Sequence, residues 1–426
     1  MADHERFLKG EGGRRANLAG FDLAQLDLSG RNLAEANFSG ARLRFAKLKG
    51  ARLADADFFA ADLRVANLEK ADLARADLRG ACLRGAKLTG AKLSGADLRE
   101  GLLAKFDEDG QADYQSSFAD LVSVSAEGAD LSDAKLQGAS LLQADLTDAT
   151  LCRAILRGCD LRDSKLVGAD MRGTDLGRSD LSAADLRGAV LTDVHWDQTT
   201  IAGADLRGAA LDPGAAEKLD LSSATLPRKL RSAGIDLADA LDAHKRWAGT
   251  GGGDGSQAIL SEFDLSGEDF KNRDLSAARL ESCTLAGADF SGAGLAMADL
   301  SMADCSGGIF VGADLRGANL HRAIFVGANL KGAQLGPPIV EKPARQSWPA
   351  NLAKTKFSGA NLQDADLAGA NLAGASFAGA DLRGADLSGC DLRNTDFSDA
   401  EISGLNIEGA KTTDAQGLGN ANRAQR

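Results

Sequence analysis

Apolar anchor residues recur at every fifth position of this chain: Leu18, Leu23, Leu28, Leu33, Phe38, Leu43 and onward to Leu103. That interval excludes both regular elements as a home for the anchors. An α-helix turns about 100° per residue, so five residues turn about 140° and would scatter the leucines round the axis. A strand alternates faces at every residue, so an odd interval sends successive leucines to opposite sides. A chain that bends after each short extended piece can bury them all. The anchor, position i, and its neighbour at i−2 then point inward, and the other three residues face out or make the turn.

The residue types agree with this geometry. Position i is Leu or Phe, and i−2 is mostly Ala, sometimes Ser, Thr or Cys. Position i−1 is Asp or Asn, i+1 is often Arg or Ser, and i+2 is often Gly. Glycine and small polar residues suit tight turns. Aromatic residues make up only 5%, with one Tyr and three Trp, so Leu and Ala must fill a narrow, regular interior.

Units such as Ala71-Asp72-Leu73 and Ala76-Asp77-Leu78 state the phrase A-(D/N)-L-x-x intact, and nearly the whole chain repeats it. In this the chain resembles the pentapeptide-repeat family. The resemblance implies an all-β solenoid, a right-handed quadrilateral parallel β-helix with four pentads to a coil. It also implies a kind of partner, because some members use an acidic rod to imitate DNA and inhibit type II topoisomerases.

The anchors change phase three times. They run from Leu18 to Leu103, from Leu121 to Leu211 with Leu221 and Leu226 in phase, from Leu260 to Leu335, and from Leu352 to Ile407. A stack of coils has open ends that need covering. His4-Glu-Arg-Phe7 followed by a Gly-rich turn and Ala16 matches His244-Lys-Arg-Trp247 followed by GTGGGDGS and Ala258, so one cap-then-repeat start occurs twice. The expected organisation is two modules with short capping and linker α-helices. Residues 1–15 form an N-terminal cap and 16–226 the first module, with a loop at 104–117. Residues 227–257 form a helical linker and cap, 258–410 the second module with a loop at 336–350, and 411–426 a polar tail without an apolar cap. Within the linker, Leu237, Leu241, His244 and Ala248 share one helical face. Trp196 stands at an anchor position, where a narrow coil predicts a bulge.

No catalytic, cofactor-binding or metal-binding constellation stands out from this background. His4, Phe7, His244 and Trp247 read as cap residues. The six cysteines contain no C-x-x-C pair, which argues against a zinc site or a disulfide framework. Cys159, Cys283 and Cys390 take the i−2 slot and read as core filler, whereas Cys82 and Cys152 should face outward. GTGGGDGS lacks the Lys-Ser/Thr of a phosphate loop and follows a helix, so it reads as a connector.

Charge carries the remaining functional content. The net charge is −12, and residues 104–215 hold twenty acidic against ten basic side chains. Asp145, Asp160, Asp170, Asp175, Asp180, Asp185 and Asp205 make the candidate acidic interaction surface. Four pentads per coil would stack Asp160 on Asp180 and Asp185 on Asp205. The favoured reading is a non-enzymatic cytoplasmic interaction protein, an acidic β-helical rod that presents surface and loops to a protein partner. It expects no cofactor, no direct nucleic-acid binding and no membrane span, and a homodimer through an exposed terminal coil. The alternatives are a DNA-mimicking regulator of DNA gyrase or topoisomerase IV, and an exported host-directed effector.

Overall fold

The computed structural model describes residues 2–106, 112–338 and 348–419. In chain order its elements are α1 (Ala2–Leu8), β1 (Gly101–Phe106), β2 (Ala112–Ser117), β3 (Val190–Leu191), β4 (Ala210–Leu211) and α2 (Ala215–Lys218). Then come β5 (Arg228–Lys229), a 3-10 turn (Leu230–Ala233), α3 (Leu237–Gly249) and β6 (Phe263–Asp264). Most of the rest is a coil held by single paired residues.

One pentad shows how the coil is held. Leu73 N donates to Lys92 O at 2.7 Å, Arg75 N to Ser94 O at 2.9 Å, and Asp72 N to Ala51 O at 2.9 Å. Ala76 N closes the turn by donating back to Leu73 O at 3.0 Å. Asp72 pairs in parallel with Lys92, and this 20-residue spacing recurs throughout, so four pentads complete one coil. Ala71 and Leu73 are fully buried, as the inward pair requires. Asp72 Oδ1 accepts from Ala74 N at 3.1 Å, which explains why i−1 is Asp or Asn: the side chain caps the turn that follows it.

The chain divides into two compact units. One comprises residues up to Leu206 with Leu211–Thr225, the other Arg207–Ala210 with Leu226 onward. In the second unit phenylalanines stack from coil to coil. Phe270, Phe290 and Phe310 follow one another at 4.5 and 4.8 Å, and Phe325, Phe357, Phe377 and Phe397 at 5.3, 5.0 and 5.1 Å. The first unit has one such pair, Phe38 on Phe58 at 4.8 Å.

Several expectations need correction. Of the loop expected at 104–117, residues 107–111 lie outside the described residues and the rest are strand: β1 and β2 pair antiparallel from Gly101–Ser117 to Phe106–Ala112. Leu103 therefore lies on a hairpin strand, and Leu98 is the last buried anchor before it. The coil resumes across the hairpin, with Cys82 paired to Asp120 and Asp97 to Lys135. The spacing widens from 20 to 38 there, so 18 residues are inserted without a break in the ladder. At the second interruption Gln334 pairs with Asp366, an insertion of 12. Of the loop expected at 336–350, residues 339–347 lie outside the described residues, and the rest carry no helix or strand.

The expected tail also changes. Lys411 pairs with Asp391 and Gln416 with Asp396, so the ladder continues past 410, and Leu418 joins the buried core. The backbone carries the ladder even where Thr412 and Gly417 replace the anchors. Residues 420–426 of that expected tail lie outside the described residues. At Trp196 no bulge forms: His195 N donates to Thr174 O at 3.0 Å and Thr199 N to Trp196 O at 3.1 Å, as in other pentads. Where the next coil would pair with His195 the chain instead forms α2, and Trp196 is buried. Leu221 and Leu226 keep the sequence phase but are not buried, although the backbone still carries the ladder between them, Thr225 pairing with Asp205. Cys152 is buried instead of facing out.

Candidate functional site

The four cap residues form two matching sets. His4 sits on α1, buried and stacked on Phe7 with ring centres 5.9 Å apart; His244 sits on α3, buried and stacked on Trp247 at 5.4 Å. His4 Nδ1 accepts from Ala16 N at 3.1 Å, and His244 Nδ1 from Ala258 N at 3.0 Å. In an ordinary pentad that N–H donates to the preceding anchor carbonyl, as Ala36 N does to Leu33 O at 3.1 Å. The first pentad has no preceding anchor, so the imidazole supplies the missing acceptor. This places the ring proton of the neutral histidine on Nε2. Burial lowers the affinity of both rings for a second proton.

Two glycines complete the sets, and spacing alone did not reveal them. A Cβ on Gly13 would strike Asp3 O and Phe7 N, and a Cβ on Gly255 would strike Ala243 O and Trp247 N. Both have positive φ, +94° and +78°. Aligning the two starts on Ala16 and Ala258 places each glycine three residues upstream, which is the signal that could have found them. On α3, Asp236 caps the helix by accepting from Asp239 N, and Leu241 enters the core of the second unit with Leu260 and Leu265.

The seven candidate aspartates do not share a face. Asp145, Asp185 and Asp205 fall in one ladder column, with Lys165 between the first two. Asp160 and Asp180 stack in a second column, Asp170 lies in a third between Thr150 and Val190, and Asp175 lies in the fourth between Ile155 and His195. Each carboxylate also has a basic partner within 4 Å. Arg162, Arg172 and Arg187 hold Asp160, Asp170 and Asp185 at 2.8, 2.7 and 2.7 Å. Lys165 lies 3.7 Å from Asp145, Arg157 3.7 Å from Asp175, Arg162 3.9 Å from Asp180 and Arg187 3.8 Å from Asp205. Two of the three short pairs follow the phrase D-L-R and the pair at Asp170 follows D-M-R; in each the i+1 arginine folds back on the i−1 carboxylate. The hydrogen bond from Arg162 holds the Asp160 carboxyl below its usual range.

The i−2 cysteines share one contact. The thiols of Cys159, Cys283 and Cys390 lie 3.0, 2.8 and 3.0 Å from the carbonyls of Leu136, Leu260 and Leu367, each 23 residues earlier. Ser179 and Thr395 make the same bond to Leu156 and Leu372. Burial pushes all three thiols up to about 12. One carboxyl moves the opposite way from the paired aspartates: burial pushes Asp304 up to about 6. Among the described residues no group of three His, Cys, Asp or Glu is arranged to hold a metal ion, and no helix is long and apolar enough to cross a membrane.

The repeat geometry agrees with comparison to known proteins. The family model described as pentapeptide repeats matches residues 14–102, 117–212, 274–335 and 350–411. The chain belongs to the pentapeptide-repeat family. Its members are right-handed β-helix proteins and are generally structural or interaction proteins. Among solved structures, this pentapeptide-repeat chain is similar to trypsin-treated QnrB1, a plasmid-mediated fluoroquinolone resistance protein. That match has 20% identity, 48% of this chain and 94% of the other covered, and a TM-score of 0.33. It is similar to Rfr23 from the cyanobacterium Cyanothece 51142 at 22% identity, with 32% and 88% covered and a TM-score of 0.21. It is also similar to HetL, involved in heterocyst differentiation regulation in Nostoc sp. Strain PCC 7120, at 23% identity, with 94% and 93% covered and a TM-score of 0.15. No curated protein matches the chain.

Proposed function

We propose that this pentapeptide-repeat protein is a non-enzymatic interaction scaffold of the cytoplasm, built from two capped β-helical modules. The observation that carries the reading is the β1–β2 hairpin. Eighteen extra residues stand between Glu100 and Ala119; of these Gly101–Phe106 and Ala112–Ser117 form an antiparallel pair, and the ladder stays in register on both sides. The coil does not need this element for its own pairing, so a contact with a partner protein is its best use. The six free cysteines suit a reducing compartment. In this reading α1 with His4 and α3 with His244 are the caps that begin each module.

The DNA-mimic alternative needs a continuous negative face. The seven aspartates instead occupy four columns and sit beside arginine or lysine, which shortens the reach of their field. The test is affinity capture from the source cell with the full chain and with a chain lacking residues 101–118. A partner held by the first and lost by the second supports the scaffold reading with the hairpin as its contact. Equal capture by both forms rejects the hairpin as the contact.

A further inference from the structure

The two cap-and-repeat starts match, with a Gly loop two residues longer in the second, but their first coils are covered differently. In the second unit the strand β5 lies along the free edge of the first coil: Arg228 pairs in parallel with Phe263 and Lys229 with Asp264. Arg228 N donates to Glu262 O at 2.8 Å, and its guanidinium lies over the Phe263 ring at 4.3 Å. Lys229 Nζ is paired with Asp264. Phe263 is thereby only 3% exposed. The equivalent residues of the first unit, five positions past Ala16, are Phe21 and Asp22. Asp22 pairs with Arg42 of the second coil, whose guanidinium lies 3.8 Å from its carboxylate, but on the side away from that coil no described strand pairs with Phe21 or Asp22, and Phe21 is 58% exposed.

The bare edge continues into a larger apolar strip. Leu26 occupies the next inward slot of the same open coil and is about half exposed, where the second unit has Glu268. Phe45 and Val65 stand at the following corner in successive coils and are also about half exposed. They occupy the turn position with φ of 58° and 57°, where the next coil places Gly85 at 66°. A bulky or β-branched residue is disfavoured in that conformation.

We propose that the first-coil edge of the first unit, Phe21–Leu26 with Phe45 and Val65, receives an extended segment of a partner protein that reads Arg-Lys followed by an aliphatic residue. The chain shows the first two of these contacts on itself at Arg228 and Lys229, and the apolar Leu26 in place of Glu268 calls for the aliphatic third residue. The segment adds as a parallel strand, its arginine stacks on Phe21, its lysine meets Asp22, and its aliphatic side chain meets Leu26. Strand addition of this kind takes affinity from the backbone and specificity from the alternate side chains. The inference rests on the scaffold reading, but it places the contact away from the hairpin.

The test titrates a fluorescent peptide, ATLPRKLRSAGI (residues 224–235), into the full chain and reads anisotropy. Saturable binding is expected, weakened at least about tenfold by Phe21→Ser, unchanged by Phe118→Ser, and lost when Glu-Glu replaces Arg-Lys in the peptide. Phe21 and Phe118 are both exposed, so both variants should keep the fold, and their melting temperatures check this. Binding that survives Phe21→Ser would show exchange with the resident strand at Phe263 and overturn the proposal. So would equal binding of a scrambled peptide, or none. Sedimentation of the unlabelled chain separates a second copy from a foreign partner: a dimer dissolved by Phe21→Ser would overturn the foreign-partner assignment. Because the hairpin takes no part, this experiment can fail while the scaffold reading stands.

Discussion

Inside the stack the i−2 slot holds side chains no larger than a β-branched Thr or Val, as Thr395 and Val124 show, and donors there such as Cys390, Ser179 and Thr395 reach a carbonyl. Ala385 satisfies the first condition, and Cys390 satisfies both through Leu367 O at 3.0 Å. Cys390→Ser should be close to neutral, since Ser179 makes the same bond to Leu156. Cys390→Leu should destabilise the second unit by about 1–3 kcal/mol through overpacking. Thermal melts of the two variants check the difference. The slot and its size limit were legible in the five-residue pattern. The hydrogen bond was not, because its acceptor lies 23 residues away and belongs to another coil. The D-L-R pairing was legible in principle, since acid and base are two residues apart. Reading each Asp as surface charge passed over it.

Helix and hairpin are the elements in which the chain departs from its phrase. The matching starts at His4 and His244 were visible in sequence, but the reason for a histidine was not. Only the folded start shows an amide at Ala16 or Ala258 with no preceding anchor to receive it. Neutral Nδ1 can accept that amide and protonated Nδ1 cannot. With folded pKa values below the ordinary histidine range, the caps contribute fully above about pH 6.5 and lose that contribution as pH falls through the folded values. Asp274 near His244, and Glu35 against Arg15 near His4, modulate the shift without reversing it. Amide hydrogen exchange at Ala16 and Ala258 should therefore quicken, relative to Leu73 and Leu300, when pH falls from 7 to 5. Equal change at all four sites would remove the cap argument. The hairpin yields a separate prediction. Excising residues 101–118 and joining Glu100 to Ala119 restores the 20-residue spacing, so the coil should close with an unchanged circular dichroism spectrum per residue. A loss of β signal would show that the hairpin holds the coil together.

At the scale of the whole molecule, function depends on which charges and apolar residues stand together. The excess of acid in residues 104–215 is real in composition, yet the seven candidate aspartates within it are spread over four columns, each beside a cation. The chain should leave gyrase supercoiling unaffected at stoichiometric excess and low salt; inhibition that fades as salt rises would restore the DNA-mimic reading. By itself the five-residue interval determined the bend and the inward pair, because no helix or flat strand buries every anchor; four pentads to a coil came from the family resemblance. The sequence also showed that one start occurs twice, at His4–Ala16 and His244–Ala258. The ladder across both insertions, α2 in place of a further coil above Trp196, and the inclusion of Leu418 in the core were decided only in three dimensions. So was the bare edge at Phe21, since whether a strand covers it depends on contacts between residues far apart in the chain. Local spacing fixes which way a side chain points; what lies opposite it is a property of the folded stack.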